Sequence, residues 1–194
     1  MRFFTLILFL AVVNDIIAQL DTSIWNSTKN IEHNKFIAEI PQTWKEVKLT
    51  ENAEYLFKFE MTGIGMQTIF NASPVPAFFT IAESNESNTQ AVRQEQLNDF
   101  HNFADKVQEP NYVYDSTSFK IKTRQEGTIY HTRFYRRSKA SNYSRYFLIV
   151  ENPANKKNYV LTFWYQYKSP TYDIERALFF KEYAERTFSK FSFR

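Results

Sequence analysis

Between Lys120 and Tyr146 the cations Lys120, Lys122, Arg124, Arg133, Arg136, Arg137, Lys139 and Arg145 are interleaved with the rings of Tyr130, Phe134, Tyr135, Tyr143 and Tyr146. A guanidinium offers a planar fork to carboxylate or phosphate. An exposed tyrosine can stack while donating a hydrogen bond, so this constellation suits an anionic or sugar-like ligand. Its candidate binding residues are Arg133, Tyr135, Arg136, Arg137, Tyr143 and Arg145. A second account is favoured over it: aromatic positions of a half-buried sheet face the core while cations solvate the outer face. The alternation of Lys120, Lys122 and Arg124 with Phe119 and Ile121 fits that account, and Arg136-Arg137 near a loop fits it least.

Catalytic and metal chemistry find little to work with. The chain has no cysteine, which excludes disulfides, thiolate metal sites and a cysteine nucleophile. His33, His101 and His131 fall in a leader, a helix and a strand, without ligand spacing. No Gly-x-Ser-x-Gly elbow is present. Gly63 and Gly65 precede no helix start, so no nucleotide fingerprint forms and no cofactor is implied. His101 and Asp105 stand four apart on a helical stretch, either a dyad or an ordinary solvated ion pair. That pair and the compartment are the motives for an alternative reading as a hydrolase acting on an envelope polymer.

The compartment comes from the N-terminus. Arg2, an unbroken apolar run from Phe3 to Val13, a polar break at Asn14-Asp15 and then Ala18 have the form of a secretory signal peptide over residues 1–18, cleaved after Ala18. The run is shorter than the roughly 20 residues a membrane span needs. Without a cysteine there is no lipoprotein anchor, so the expected product is secreted or periplasmic and free of the membrane. The net charge of +3 is too mild to argue for nucleic acid. Asn-x-Ser/Thr triplets start at Asn26, Asn71, Asn85 and Asn142, glycan acceptors only on a eukaryotic secretory route and otherwise chance products of an Asn- and Ser-rich chain.

The elements that must position these residues follow from periodicity. Residues 19–34 read as a polar, flexible leader, and a single domain is expected over 35–194. Phe36–Ile40, Lys45–Leu49, Tyr55–Met61 and Ala77–Ala82 read as strands, the third alternating cleanly with Tyr55, Phe57, Phe59 and Met61 on one face. Ser87 stands three before Gln90 in a capping-box spacing, and Val92, Leu97, Phe100, Phe103, Ala104 and Val107 then recur as in an amphipathic helix. Strands at Phe119–Arg124, Thr128–Arg137, Arg145–Glu151 and Tyr159–Tyr167 make an antiparallel meander. Ser169-Pro170 opens a closing helix, and Phe191-Ser-Phe193 ends the chain as an apolar anchor. This order gives an α+β class with helices on the faces of a central antiparallel sheet.

Phe36-Ile-Ala-Glu-Ile-Pro-Gln-Thr-Trp44, the helix from Ser87, the strand Tyr159-Val-Leu-Thr-Phe163 and the last helix running into Ser189-Lys-Phe-Ser-Phe193 resemble the PsbP-like domains. That family includes an extrinsic subunit of photosystem II and shares its fold with a nuclear-transport factor that binds Ran. The resemblance implies an α/β/α sandwich and an accessory, partner-binding role. No binding motif of the family matches a position here. The function expected is therefore a non-enzymatic accessory domain of the cell envelope that binds a protein or another envelope component, an anionic one if the basic meander is the contact.

Overall fold

The structure is a computed structural model that describes residues 25–51, 53–61, 77–106, 112–121, 127–136, 140–168 and 174–194. The signal-peptide segment, Gly63, Gly65, Asn71, Lys122, Arg124, Arg137, Lys139 and Ser169-Pro170 lie outside them. Among the described residues ten strands and two helices follow in order: β1 (Thr28–Glu32), β2 (Phe36–Pro41), β3 (Lys45–Glu46), β4 (Phe57–Glu60), β5 (Ala77–Glu83), α1 (Thr89–Lys106), β6 (Tyr112–Ile121), β7 (Gly127–Arg136), β8 (Ser141–Glu151), β9 (Asn158–Lys168), α2 (Ile174–Ser189) and β10 (Phe191–Phe193). The fold is α+β, as expected.

The seven-stranded sheet has the order β3-β4-β5-β9-β8-β7-β6, with the meander β6 to β9 as one half. All its pairings are antiparallel. β9 is the middle strand, and its two faces differ in chemistry. Tyr159, Leu161, Phe163, Tyr165 and Tyr167 are all buried on one face. Register places Phe79 and Ile81 of β5 and Tyr146 and Leu148 of β8 beside them. Against this face α2 lays Phe180, Tyr183, Ala184 and Phe188. Phe180 stacks on Tyr165 with ring centres 3.6 Å apart, a contact worth about 1 kcal/mol beyond its area.

A second, three-stranded sheet of order β1-β2-β10 completes that cover. Its Phe36 meets Phe57, Tyr159 and Phe191 edge-on or tilted. Residues 28–32 were expected in a loose leader, yet they pair with β2 from Thr28↔Pro41 to Glu32↔Ile37. Their local composition is polar, and a ladder with an already apolar partner, with only Ile31 buried, is what orders them. β6 likewise runs longer than the expected Phe119–Arg124, because backbone pairing to β7 from Tyr112↔Arg136 to Ile121↔Gly127 recruits a weakly patterned stretch. The terminal anchor is β10, paired to β2 from Phe191↔Ala38 to Phe193↔Phe36.

The two sheets are tied by one carboxylate. Glu83, at the end of β5, takes Lys35 at 2.7 Å, the ammonium of Lys157 and the phenol of Tyr159 at 2.8 Å. Lys35 comes from the β1–β2 turn and Lys157 from the β8–β9 turn, so the contact joins two connections to the ends of β5 and β9. Partial burial pushes the Glu83 pKa up, but the hydrogen bonds from Lys157, Lys35 and Tyr159 outweigh it and hold the group at about 2. A depressed carboxylate stabilises the fold above its unfolded value of 4.5 and loses that contribution as pH falls toward about 2. Discounted for the exposure of both lysines, Glu83→Gln is expected to cost about 1–2 kcal/mol at neutral pH. Urea denaturation of both proteins should show the difference closing between pH 4.5 and about 2; a gap that stays constant across that window would refute the assignment.

Candidate functional site

Among the described residues the opposite face of the large sheet is covered by helix α1 alone. Asn88 caps it, its Oδ1 accepting from the N–H groups of Gln90 at 2.9 Å and Ala91 at 3.3 Å. The cap therefore lies one residue after the expected Ser87. The carbonyl of Ser87 accepts instead from Asn158 Nδ2 at 2.9 Å, which also donates to the Glu86 carbonyl at 3.0 Å. Asn158 Oδ1 accepts from the Thr89 hydroxyl at 3.2 Å. A fully buried asparagine at the start of β9 thus holds the first turn of α1.

Further along, Val92 packs on Phe147, Ile149 and Val160. The Arg145 guanidinium lies 5.1 Å from the ring centres of both Phe100 and Phe147 and donates to the Gln96 carbonyl. Phe100 and Phe103 close on Phe134, and Phe103 also meets Tyr143 at 6.0 Å. All these anchors lie on β7, β8 and β9. β5 and β4 continue the sheet beyond the helix, so a groove of about 1010 Å³ opens beside α1.

Two cross-strand rows run along its floor. One carries Lys58, Thr80, Thr162 and Phe147; the next carries Phe78, Trp164 and Arg145. Trp164 stacks on Phe78 at 4.7 Å, and the Lys58 ammonium sits 4.6 Å over that phenyl ring. Glu95, Asp99, Phe100 and Phe103 of α1 form one wall, and Glu54 and Tyr55 ahead of β4 stand on another side. Tyr55 and Phe103, 39% and 46% exposed, are the large apolar side chains left out in water among the described residues. Both line this groove. Burial of one side of the Tyr55 ring raises its pKa, Glu54 adds to the rise, Arg145 opposes it and Asp99 adds again, which sets all three charges around one phenol.

The lining carboxylates are Glu54, Glu83, Glu86, Glu95 and Asp99, against the cations Lys58 and Arg145. Glu95 and Asp99 are i and i+4 on one helix, a like-charge arrangement that costs α1 about 0.2–0.5 kcal/mol. An acidic, aromatic-floored groove therefore sits on a chain whose net charge is +3.

Of the six residues singled out from the sequence, the four with described side chains divide between the two sheet faces. Register pairs Thr132 with Arg145 and Phe134 with Tyr143, so Arg145 and Tyr143 belong to the α1 face and both line the groove. Arg133 and Tyr135 alternate with Thr132 and Phe134 and so face the α2 side, opposite Ser144 and Asn142. Arg136 closes β7, described in its backbone alone, and Arg137 lies outside the described residues. Two of the four residues with described side chains thus meet at one site. Tyr55, Glu95, Asp99 and Trp164 were missed by the sequence reading. The signal available for them was the polar face of α1 together with the out-facing positions of β5 and β9.

The histidines lie apart: His33 stacks on Phe36 at 4.8 Å, His131 stacks on Tyr146 at 4.3 Å, and His101 is exposed on α1. Among the described residues no three histidines or carboxylates gather as metal ligands. No described helix is long and apolar enough to cross a membrane.

No family model and no curated protein matches the sequence. The fold has solved counterparts. The Ran-binding protein Mog1p of Saccharomyces cerevisiae aligns over 86% of this chain and 95% of its own, with a TM-score of 0.50 and 9% identity. LpqN of Mycobacterium tuberculosis, involved in cell envelope biogenesis, aligns over 86% and 90% with a TM-score of 0.45 and 11% identity. The chain thus shares its α+β fold with Mog1p.

If Arg145 clamps α1 to the sheet, Arg145→Met, which keeps bulk and removes charge and donors, should cost about 1–2 kcal/mol. Amide hydrogen exchange should quicken in Gln96–Phe103 and stay unchanged in α2. Equal protection of α1 in both proteins would rule the clamp out.

Proposed function

We propose that this chain is a non-enzymatic binding domain, exported to the cell envelope, whose ligand site is the groove beside α1. One observation carries the proposal: the two large apolar side chains exposed among the described residues, Tyr55 and Phe103, stand on the walls of one cleft floored by Trp164. Exposed apolar surface gathered in a concave site marks interaction rather than ordinary solvent-facing scatter. The size of the groove, about 1010 Å³, accommodates several residues of a partner or a comparably large ligand. Mog1p, on the same fold, is a Ran-binding protein, so the scaffold is compatible with a protein-binding role. The apolar run Phe3–Val13 after Arg2 supports export.

Tyr143 and Arg145, from the basic-aromatic meander, belong to this site as lining residues. Arg145 serves there chiefly as a brace, since its guanidinium is engaged by two rings and a helix carbonyl.

A photo-crosslinking amino acid placed at Phe103 should form adducts in envelope fractions of the source cells, whereas the same group at Lys181 on α2 should not. Trp164→Ala should abolish the Phe103 adducts while leaving the circular dichroism spectrum intact. Adducts of equal yield from both positions, or adducts indifferent to Trp164, would overturn the proposed site.

A further inference from the structure

We infer that the groove takes an extended peptide segment in which lysine or arginine alternates with aromatic or aliphatic residues. The inference rests on the groove being the binding site and assigns the chemistry of its occupant. Thr80 and Thr162 face each other across β5 and β9, are 2% and 8% exposed, and line the cavity. No hydrogen bond joins either hydroxyl to another described residue. Neither hydroxyl is among the polar atoms sealed in the core, so both are open to the groove with their donor and acceptor capacity available. At the floor of a groove they await a ligand that both donates and accepts, as a peptide main chain does at every residue.

Charge selects the side chains. Glu54, Glu95 and Asp99 line the groove and form no ion pair among the described residues. The two cations among its described lining residues are already engaged, Lys58 over Phe78 and Arg145 over Phe100 and Phe147. The field in a cleft bounded by low-dielectric walls is therefore negative and concentrates cationic ligands. Trp164, Tyr55 and Phe103 add apolar faces on which a guanidinium or a lysine stem can lie. A neutral oligosaccharide would use the rings and hydroxyls but leave the carboxylates without counter-charge.

The test is fluorescence anisotropy with a labelled Lys-Phe alternating peptide, a Glu-Phe peptide of the same length, and a chitin oligosaccharide as competitor. The Lys-Phe peptide should bind, and its affinity should fall as salt rises toward physiological strength. Glu95→Gln with Asp99→Asn should weaken it about tenfold, the size expected for two complementary charges at a binding surface. Thr80→Val with Thr162→Val should weaken it several-fold at unchanged salt dependence. Glu46→Gln, on exposed β3 away from the groove, should leave it as it was. Equal binding of the Glu-Phe peptide, displacement by the oligosaccharide, or indifference to the Glu95/Asp99 change would each overturn the assignment. If the peptide fails while Phe103 still cross-links, the ligand class is wrong and the groove stands; if both fail, the groove falls with it.

Discussion

The structure depends on the unequal covering of β9. One face of that strand is an uninterrupted column of Tyr159, Leu161, Phe163, Tyr165 and Tyr167, which must be kept from water and receives both α2 and the three-stranded sheet. The other face carries Val160, Thr162 and Trp164, over which, among the described residues, one helix lies. Burial of large aromatics dominates the free energy of a core of this kind. The chain therefore spends most of its apolar side chains on one side and leaves the other partly open.

That openness is governed by where α1 is anchored. Its first turn is fixed by Asn158, its middle by Val92 and the Arg145–Gln96 contact, and its later turns by Phe134 and Tyr143. Each anchor is on β7, β8 or β9, so the helix follows the meander and stops short of β4 and β5. The groove is the remainder. Its rigidity comes from strands on the floor and a helix pinned along its length, a setting in which polar groups can be held ready for a ligand without a closing motion. Glu83 adds to this at the far end, linking the β1–β2 turn to the rim of the same cleft.

Much of the fold was legible because period-2 alternation over four or more residues is a strong local signal. The strands around Phe57, Phe79, Phe163 and Thr128–Arg136, and the helix through Val92 and Phe100, were all visible in that way. β1 and most of β6 were not, since their residues acquire a reason to be extended only from the partner strand. The cap moved from Ser87 to Asn88 for a similar reason, Ser87 being held by Asn158, 71 positions away in the chain.

The candidate site was harder to read than the fold. Composition alone drew attention to arginines and tyrosines between Arg133 and Arg145, and alternation along β7 and β8 then sends Arg133 and Tyr135 to one side and Tyr143 and Arg145 to the other. A strand reverses its side chains at every residue, so neighbours in sequence are separated by the thickness of the sheet. By itself the sequence determined the α+β class, the meander, the apolar faces and the absence of disulfides, all of which are local or compositional properties. Tertiary structure alone decided that Tyr55, Asp99, Thr162 and Trp164 share one cleft, because their meeting depends on strand order and on which half of the sheet a single helix can reach.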